Sequence, residues 1–286
     1  MGDLQRAIVD WLWSSWSELG IPGARHHKNV VVDPEPLIAW TPHLAAREPR
    51  LLGLAFDWCA ANTDRIAKMR LPALAALMPA DAVEALARFN GALRRCGADW
   101  HPSSGALDLD VGRKRMPIHS ERPALIRFRI RALAGTSTRS EVLAGLLANR
   151  GHEVRASDLV APGLNRRGVE RALNELIDGA FVVARGGQRQ RQFSLCSWEA
   201  FEILLGARGL RWIKWHERLQ LLAMLSELDE FGELTPSMRR VEAASRWQHF
   251  VESSHRARLS EPPGPADRED IFDALLAWGK NAVVEF

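Results

Sequence analysis

The feature that most constrains this chain is a thirteen-residue segment, 166–178, whose two sides are chemically opposite. Val169, Ala172, Leu173 and Leu176 recur at i, i+3, i+4 and i+7, the spacing of one helix face. Arg167, Arg171 and Asn174 recur at i, i+4 and i+7 on the other side. The segment predicts a helix with its apolar stripe inward and a guanidinium-bearing face outward. Asn165 is a natural N-cap and Gly179 a natural stop.

The flanking residues extend the pattern. Thr138 or Ser140 is expected to cap an earlier helix whose apolar face is Val142, Leu143, Leu146 and Leu147, ended by Gly151. A short second helix is expected near 156–160, begun by Ser157 or a neighbour. Pro162 and Gly163 form a turn, and Leu164 plugs the core. After Gly179, a strand over 181–184, a turn over 185–188 and a return strand over 189–195 read as a hairpin, with Gly186 and Gly187 supplying positive φ. The order is that of a winged helix-turn-helix between about residues 137 and 195.

The residue types fit duplex DNA. Arginine can donate two hydrogen bonds to guanine, and asparagine can pair with adenine in the major groove. Arg166, near the helix start, suits a phosphate. The hairpin carries Arg185, Arg189 and Arg191 among Gln188, Gln190 and Gln192, a composition suited to phosphates or the minor groove. The expected DNA-contacting residues are therefore Asn165, Arg166, Arg167, Arg171 and Asn174 in the recognition helix, with Arg185, Gln188, Arg189 and Arg191 in the wing.

The chain reads as mainly α in three regions: a helical N-terminal domain over 1–116, the winged domain over 117–196, and a helical region over 197–286 suited to dimerisation or partner contact. Expected helices include 3–19, one begun by Asp81 and running to about Cys96, 124–133, 198–205, 213–228, 236–258 and 271–278. In the 236–258 helix, Met238, Val241, Ala244, Trp247 or Gln248, and Val251 form one stripe. Segment 99–123 reads as a linker. Net charge is only +3, but its distribution is uneven. Seven Arg/Lys stand against Glu121 between Gly112 and Arg131, an excess that implies an anionic partner; 227–286 carries twelve acids and seven basic residues.

Other chemistry finds little support. Cysteines 59, 96 and 196 have neither disulfide nor zinc spacing, and fit a reducing cytoplasm. The opening residues lack the basic and apolar regions of a secretory leader, and no run is long enough to span a membrane. Asp108 and Asp110 alternate as metal-binding carboxylates can, but the preceding Ser-Gly is reversed and too close for a nucleotidyltransferase site. The His26-His27 pair is expected to face solvent. Without nucleophile, phosphate-loop or zinc-protease signatures, no enzymatic activity, metal or cofactor is expected.

The stretch SDLVAPGLNRRGVERALNELIDGAFVVARGGQRQRQFSL resembles bacterial winged-helix transcriptional regulators, LNRRGVERALNEL corresponding to their recognition helix. IVDWLWSSWSELGIPG, RPALIRFRIRALAGTSTRSEVLAGLLANRG and RWIKWHERLQLL resemble, more loosely, winged-helix proteins encoded beside AbiEii-type nucleotidyltransferase toxins. That resemblance implies a role in repressing or neutralising a neighbouring toxin operon, with the toxin as a partner. Joined to the winged segment and the unpaired cysteines, the expectation is a cytoplasmic, homodimeric repressor of a toxin–antitoxin-like or defence operon that binds double-stranded DNA. The competing expectation is an antitoxin that inhibits a partner enzyme by direct contact.

Overall fold

Four of the largest fully buried side chains are tryptophans, Trp16, Trp40, Trp58 and Trp100. A buried indole brings a large apolar area but also an N–H that wants an acceptor. Three of the four find one: Trp16 donates to Thr41 Oγ1 (2.9 Å), Trp58 to the Leu19 carbonyl (2.9 Å) and Trp40 to His216 Nδ1 (3.3 Å). These bonds tie together helices remote in sequence. The computed structural model describes residues 2–105, 107–109, 116–187, 190–264 and 271–285. It is mainly helical, with one small antiparallel sheet.

The N-terminal helices are α1 (Asp3–Leu19), α2 (Pro34–Leu44), α3 (Pro49–Ala61), α4 (Arg70–Ala75) and α5 (Ala80–Arg95). As expected, α1 buries Leu4, Ile8, Trp11, Leu12 and Leu19 and stops at Gly20, whose φ of 113° suits glycine. Asp81 does not cap α5. The cap position is Pro79, and Asp81 sits inside the first turn, 3.6 Å from His43 Nδ1. Segment 99–123 is more than a tether: Trp100 is fully buried, and the Met116 carbonyl accepts from Asn62.

Next come α6 (Ile126–Ala134), α7 (Thr138–Ala148), strand β1 (Val154–Arg155), a 3-10 turn (Ala156–Leu159), α8 (Arg166–Asp178), β2 (Val182–Arg185), β3 (Gln192–Leu195) and α9 (Trp198–Leu205). The sheet order is β1-β3-β2. Beyond the expected hairpin, β1 adds a third strand, with Val154 opposite Phe193. Its two residues are too short a run for alternation to reveal. The chain closes with α10 (Trp215–Glu230), α11 (Pro236–Ala257) and α12 (Ile271–Glu285), the last seven residues longer at its C-terminal end than the pattern predicted.

Two cores result. One joins α1–α5 to α10–α12, so the helices before residue 96 and those after residue 214 share a single interior. The other is built by α7, α8 and the sheet, with Ile126 and Ile130 of α6 and Leu205 of α9. The predicted stripe on α11 is not its inner face. Ala243, Phe250, Ser253, Ser254 and Ala257 are buried, whereas Met238 and Val241 are exposed. Small residues let α11 lie close to α10, which volume-blind apolar spacing does not register.

Candidate nucleic-acid interface

The N-cap of α7 lies one residue before Thr138 and three before Ser140, the two proposed caps. Ser137 is the N-cap, and its backbone amide donates to Ser140 Oγ at 3.3 Å. Val142, Leu143, Leu146 and Leu147 are buried as predicted. The 3-10 turn replaces the expected short helix, held by the Arg155 amide donating to Asp158 Oδ2 at 2.8 Å. Gly163 then adopts φ 82°, and a Cβ there would lie 2.6 Å from the Arg70 Cα, so the turn rests directly on the start of α4. Leu164 is buried as the plug.

Helix α8 has the predicted bounds. Asn165 Oδ1 accepts from the Gly168 amide at 2.7 Å, satisfying one of the unpaired donors at a helix start. Val169, Ala172, Leu173 and Leu176 are buried against the second core. Arg166, Arg167, Arg171 and Asn174 are exposed, the Arg166 and Arg171 side chains by 77% and 83%. No other described part of the chain covers that side. The C-terminus differs in detail. Gly179 has φ −80°, and Ala180 takes the left-handed conformation at φ 58° while its amide donates to the Ile177 carbonyl and that of Phe181 to Leu176.

The exposed face is not purely cationic. Arg166 Nε bonds Glu170 at 2.8 Å, and Arg171 Nε bonds Glu175 at 3.1 Å. Arg139 of α7 also binds Glu175, at 2.6 Å, and these arginine hydrogen bonds, Arg139 first, hold the Glu175 carboxyl below its usual range. With Asp178, three acids balance the three arginines of α8. Arg167 forms no ion pair among the described residues. Arg166–Glu170 and Arg171–Glu175 follow from i, i+4 spacing and were legible in the sequence; the Arg139 contact, between separate helices, was not. Exposed pairs of this kind contribute about 0–1 kcal/mol, so they exchange readily for other anions.

In the hairpin, Arg185 is exposed and bonds Glu153 at 2.9 Å, while the exposed Arg191 lies over the Phe193 ring, 5.4 Å from its centroid. Gln188 and Arg189 lie outside the described residues. Only Gly186 of the glycine pair has positive φ, at 84°; a Cβ there would meet the Gln190 carbonyl at 2.8 Å.

A second group of charges, unforeseen, joins the two cores. Asp33 and Glu35 at the start of α2, Arg70 of α4, Arg127 and Arg131 of α6, and Glu141 of α7 form a largely buried network. Arg70 makes paired bonds to Asp33 at 2.7 and 2.8 Å, and Arg131 makes paired bonds to Glu35 at the same two distances. Glu141 accepts from Arg127 at 2.6 Å and from Arg131 at 2.7 Å. Burial pushes the Asp33 and Glu141 carboxyls up, but the surrounding arginines outweigh it and hold both below the usual range.

This network corrects the reading of the basic 112–131 segment. Arg127 and Arg131 are committed to it. Arg122 donates to the Ser17 and Glu18 carbonyls and Arg129 to those of Ser120, Glu121 and Leu205. Residues 113–115 lie outside the described residues. Four of the seven basic side chains therefore serve intramolecular contacts.

Elsewhere, Asp108 is exposed and in no strand, and Asp110 lies outside the described residues. His27 is half-buried rather than solvent-facing, its Nδ1 2.7 Å from Ser14 Oγ. Among the described residues no helix is long and apolar enough to cross a membrane. The chain matches no family model, no curated protein and no solved structure.

Proposed function

We propose that residues 137–195 form a winged helix-turn-helix and that the protein is a sequence-specific DNA-binding regulator, acting as a repressor. One observation carries this reading: α8 turns Arg167, Arg171 and Asn174 to solvent on the side opposite its buried stripe, with no described part of the chain over them. A helix so presented can enter a major groove, where these side chains match guanine and adenine edges. Arg185 and Arg191 on the adjoining hairpin supply phosphate contacts, and Asn165 with Arg166 hold the helix start against the backbone. A homodimer would place two copies of α8 about 34 Å apart, on successive turns of the duplex. Repression of a toxin–antitoxin-like operon extends this reading on the sequence resemblance alone.

The test is selection from a random duplex pool by the full-length protein. The expected outcome is a recovered motif, bound with an affinity that falls steeply as salt rises, and loss of sequence preference in Arg167→Ala/Arg171→Ala. Retention of the same motif by the double variant would overturn the role given to α8.

The second reading, an antitoxin that blocks a partner enzyme by contact, draws on the electrical balance of α8. A neutral, densely paired helix suits a protein surface better than a polyanion. It predicts no motif at any salt concentration, and capture of a protein partner that the α8 double variant releases.

A further inference from the structure

Between the two cores lies a cavity of about 320 Å³, large enough for a small organic molecule. Its walls come from both sides of the boundary. One is α7 and the turn leading into α8, including Ala148, Leu159 and Pro162, with Trp212 packed on the same core; the other includes Arg70, Leu74 and Trp215. Whatever occupies it touches the body and the segment that carries α8 together.

The polar groups around it are unequally satisfied. Asp33 and Glu141 line the cavity but are saturated by arginines. Asp158 accepts from the Arg155 amide and from Ser157 Oγ. On the donor side, Arg70 Nε and Arg127 Nε are buried without an acceptor. Lys214 and Arg258, both exposed at the cavity, pair with no carboxylate among the described residues. Glu217 is the one lining carboxylate among the described residues for which no partner is seen, against four donors without one: Arg70 Nε, Arg127 Nε, Lys214 and Arg258. The site therefore lacks acceptors. Its apolar surface includes Trp212, whose ring carries the Arg127 guanidinium 5.6 Å from its centroid.

We propose that this cavity binds a small organic anion, a carboxylate on a planar apolar body, and that binding sets the position of the Pro162–Gly163 turn that leads into α8. The carboxylate lies toward Lys214 and Arg258, and the ring lies against Trp212. Because the turn rests on the Arg70 backbone, a molecule beside Arg70 is felt at the start of α8. The binding site stands on the cavity alone; the consequence for DNA rests on the function proposed above.

The experiment uses full-length protein with benzoate as probe and benzamide as its neutral counterpart. At about 10 mM benzoate, a millimolar site raises Tm by about 3 °C. Amide exchange then slows in 144–149 and 156–164, and benzamide produces neither effect. Lys214→Ala/Arg258→Ala, at exposed positions that leave the fold intact, removes the preference for benzoate; Ala148→Trp fills the cavity and removes the response. An unchanged Tm and exchange pattern, an equal response to benzamide, or protection confined to other segments overturns the site. The selected duplex gives the separate arm. A change of threefold or more in DNA affinity with benzoate supports the coupling, and unchanged affinity overturns it. Benzoate protection in a protein that selects no duplex leaves the site standing and removes the DNA reading.

Discussion

Helices α6 and α8 each carry three arginines, and the two sets have opposite fates. In α6, Arg127, Arg129 and Arg131 alternate with Ile126, Phe128 and Ile130, so a helix cannot place all the charges on one side. Both kinds of residue are drawn inward: Ile126 and Ile130 enter the second core, Phe128 enters the first, and the guanidinium groups meet buried carboxylates or carbonyls. In α8 the arginines fall at 166, 167 and 171, clear of the apolar stripe, and stay in solvent. Guanidinium count says nothing about availability for a ligand. What matters is whether the apolar spacing leaves the charge a side of its own.

The sharpest way to break this comparison is to remove a buried partner of the α6 arginines and, separately, one exposed arginine of α8. Glu141→Ala leaves Arg127, Arg131 and Arg70 short of a buried counter-charge and should cost about 3–5 kcal/mol in urea denaturation. Arg167→Ala should change stability by no more than about 0.5 kcal/mol. Similar values for the two would mean that the buried network does not hold the cores together. Its pH dependence has a definite sign. Asp33 and Glu141 titrate lower in the folded protein than in the unfolded chain, so the unfolded state binds more protons on acidification. Their stabilisation is complete above about pH 5 and is lost as pH falls below about 4 and through the folded values. Glu141→Gln should therefore lose less stability between about pH 5 and pH 3 than the parent protein. An identical slope would place the acid-sensitive groups elsewhere.

The same contrast explains what the sequence made legible. All of α8, its Asn165 cap and its buried stripe could be read because they are local: period, cap and stop lie within fifteen residues. The hairpin was legible for the same reason. The network was not, because its members stand at 33, 35, 70, 127, 131 and 141, and nothing local in the chain pairs Arg131 with Glu35. Likewise Trp215 of α10 donates to the Val31 carbonyl, a contact across 184 residues of chain that periodicity cannot foresee. The stripe on α11 misled because spacing finds apolar residues, whereas a close helix contact there selected alanine and serine.

For the exposed set, the next effect is on DNA. Each well-formed arginine–guanine pair discriminates by about 1–3 kcal/mol, so Arg167→Ala should relax preference at one base pair by about 5- to 150-fold. Arg185→Ala should instead weaken all sequences alike and lower the slope of log affinity against log salt by about one. If Arg185→Ala changed the recovered motif, the hairpin would be reading bases rather than the backbone.

The smallest effects concern the ends of α8, where the folded state is held without its arginines. Asn165→Ala removes the acceptor for the Gly168 amide and should cost about 1 kcal/mol. Ala180→Gly should act in the other direction. Ala180 occupies the left-handed position that closes the helix, at φ 58°, where a Cβ crowds the following carbonyl by roughly 1–2 kcal/mol. Glycine relieves that strain but adds freedom to the unfolded chain, which offsets part of the gain. The net expectation is a stabilisation of about 0.5–1 kcal/mol, read by urea denaturation, with the selected DNA motif unchanged because residue 180 lies outside the base-reading face of α8, whose last member is Asn174. A loss of stability would mean that the chain leaves α8 by another route and that the hairpin is set against the helix differently.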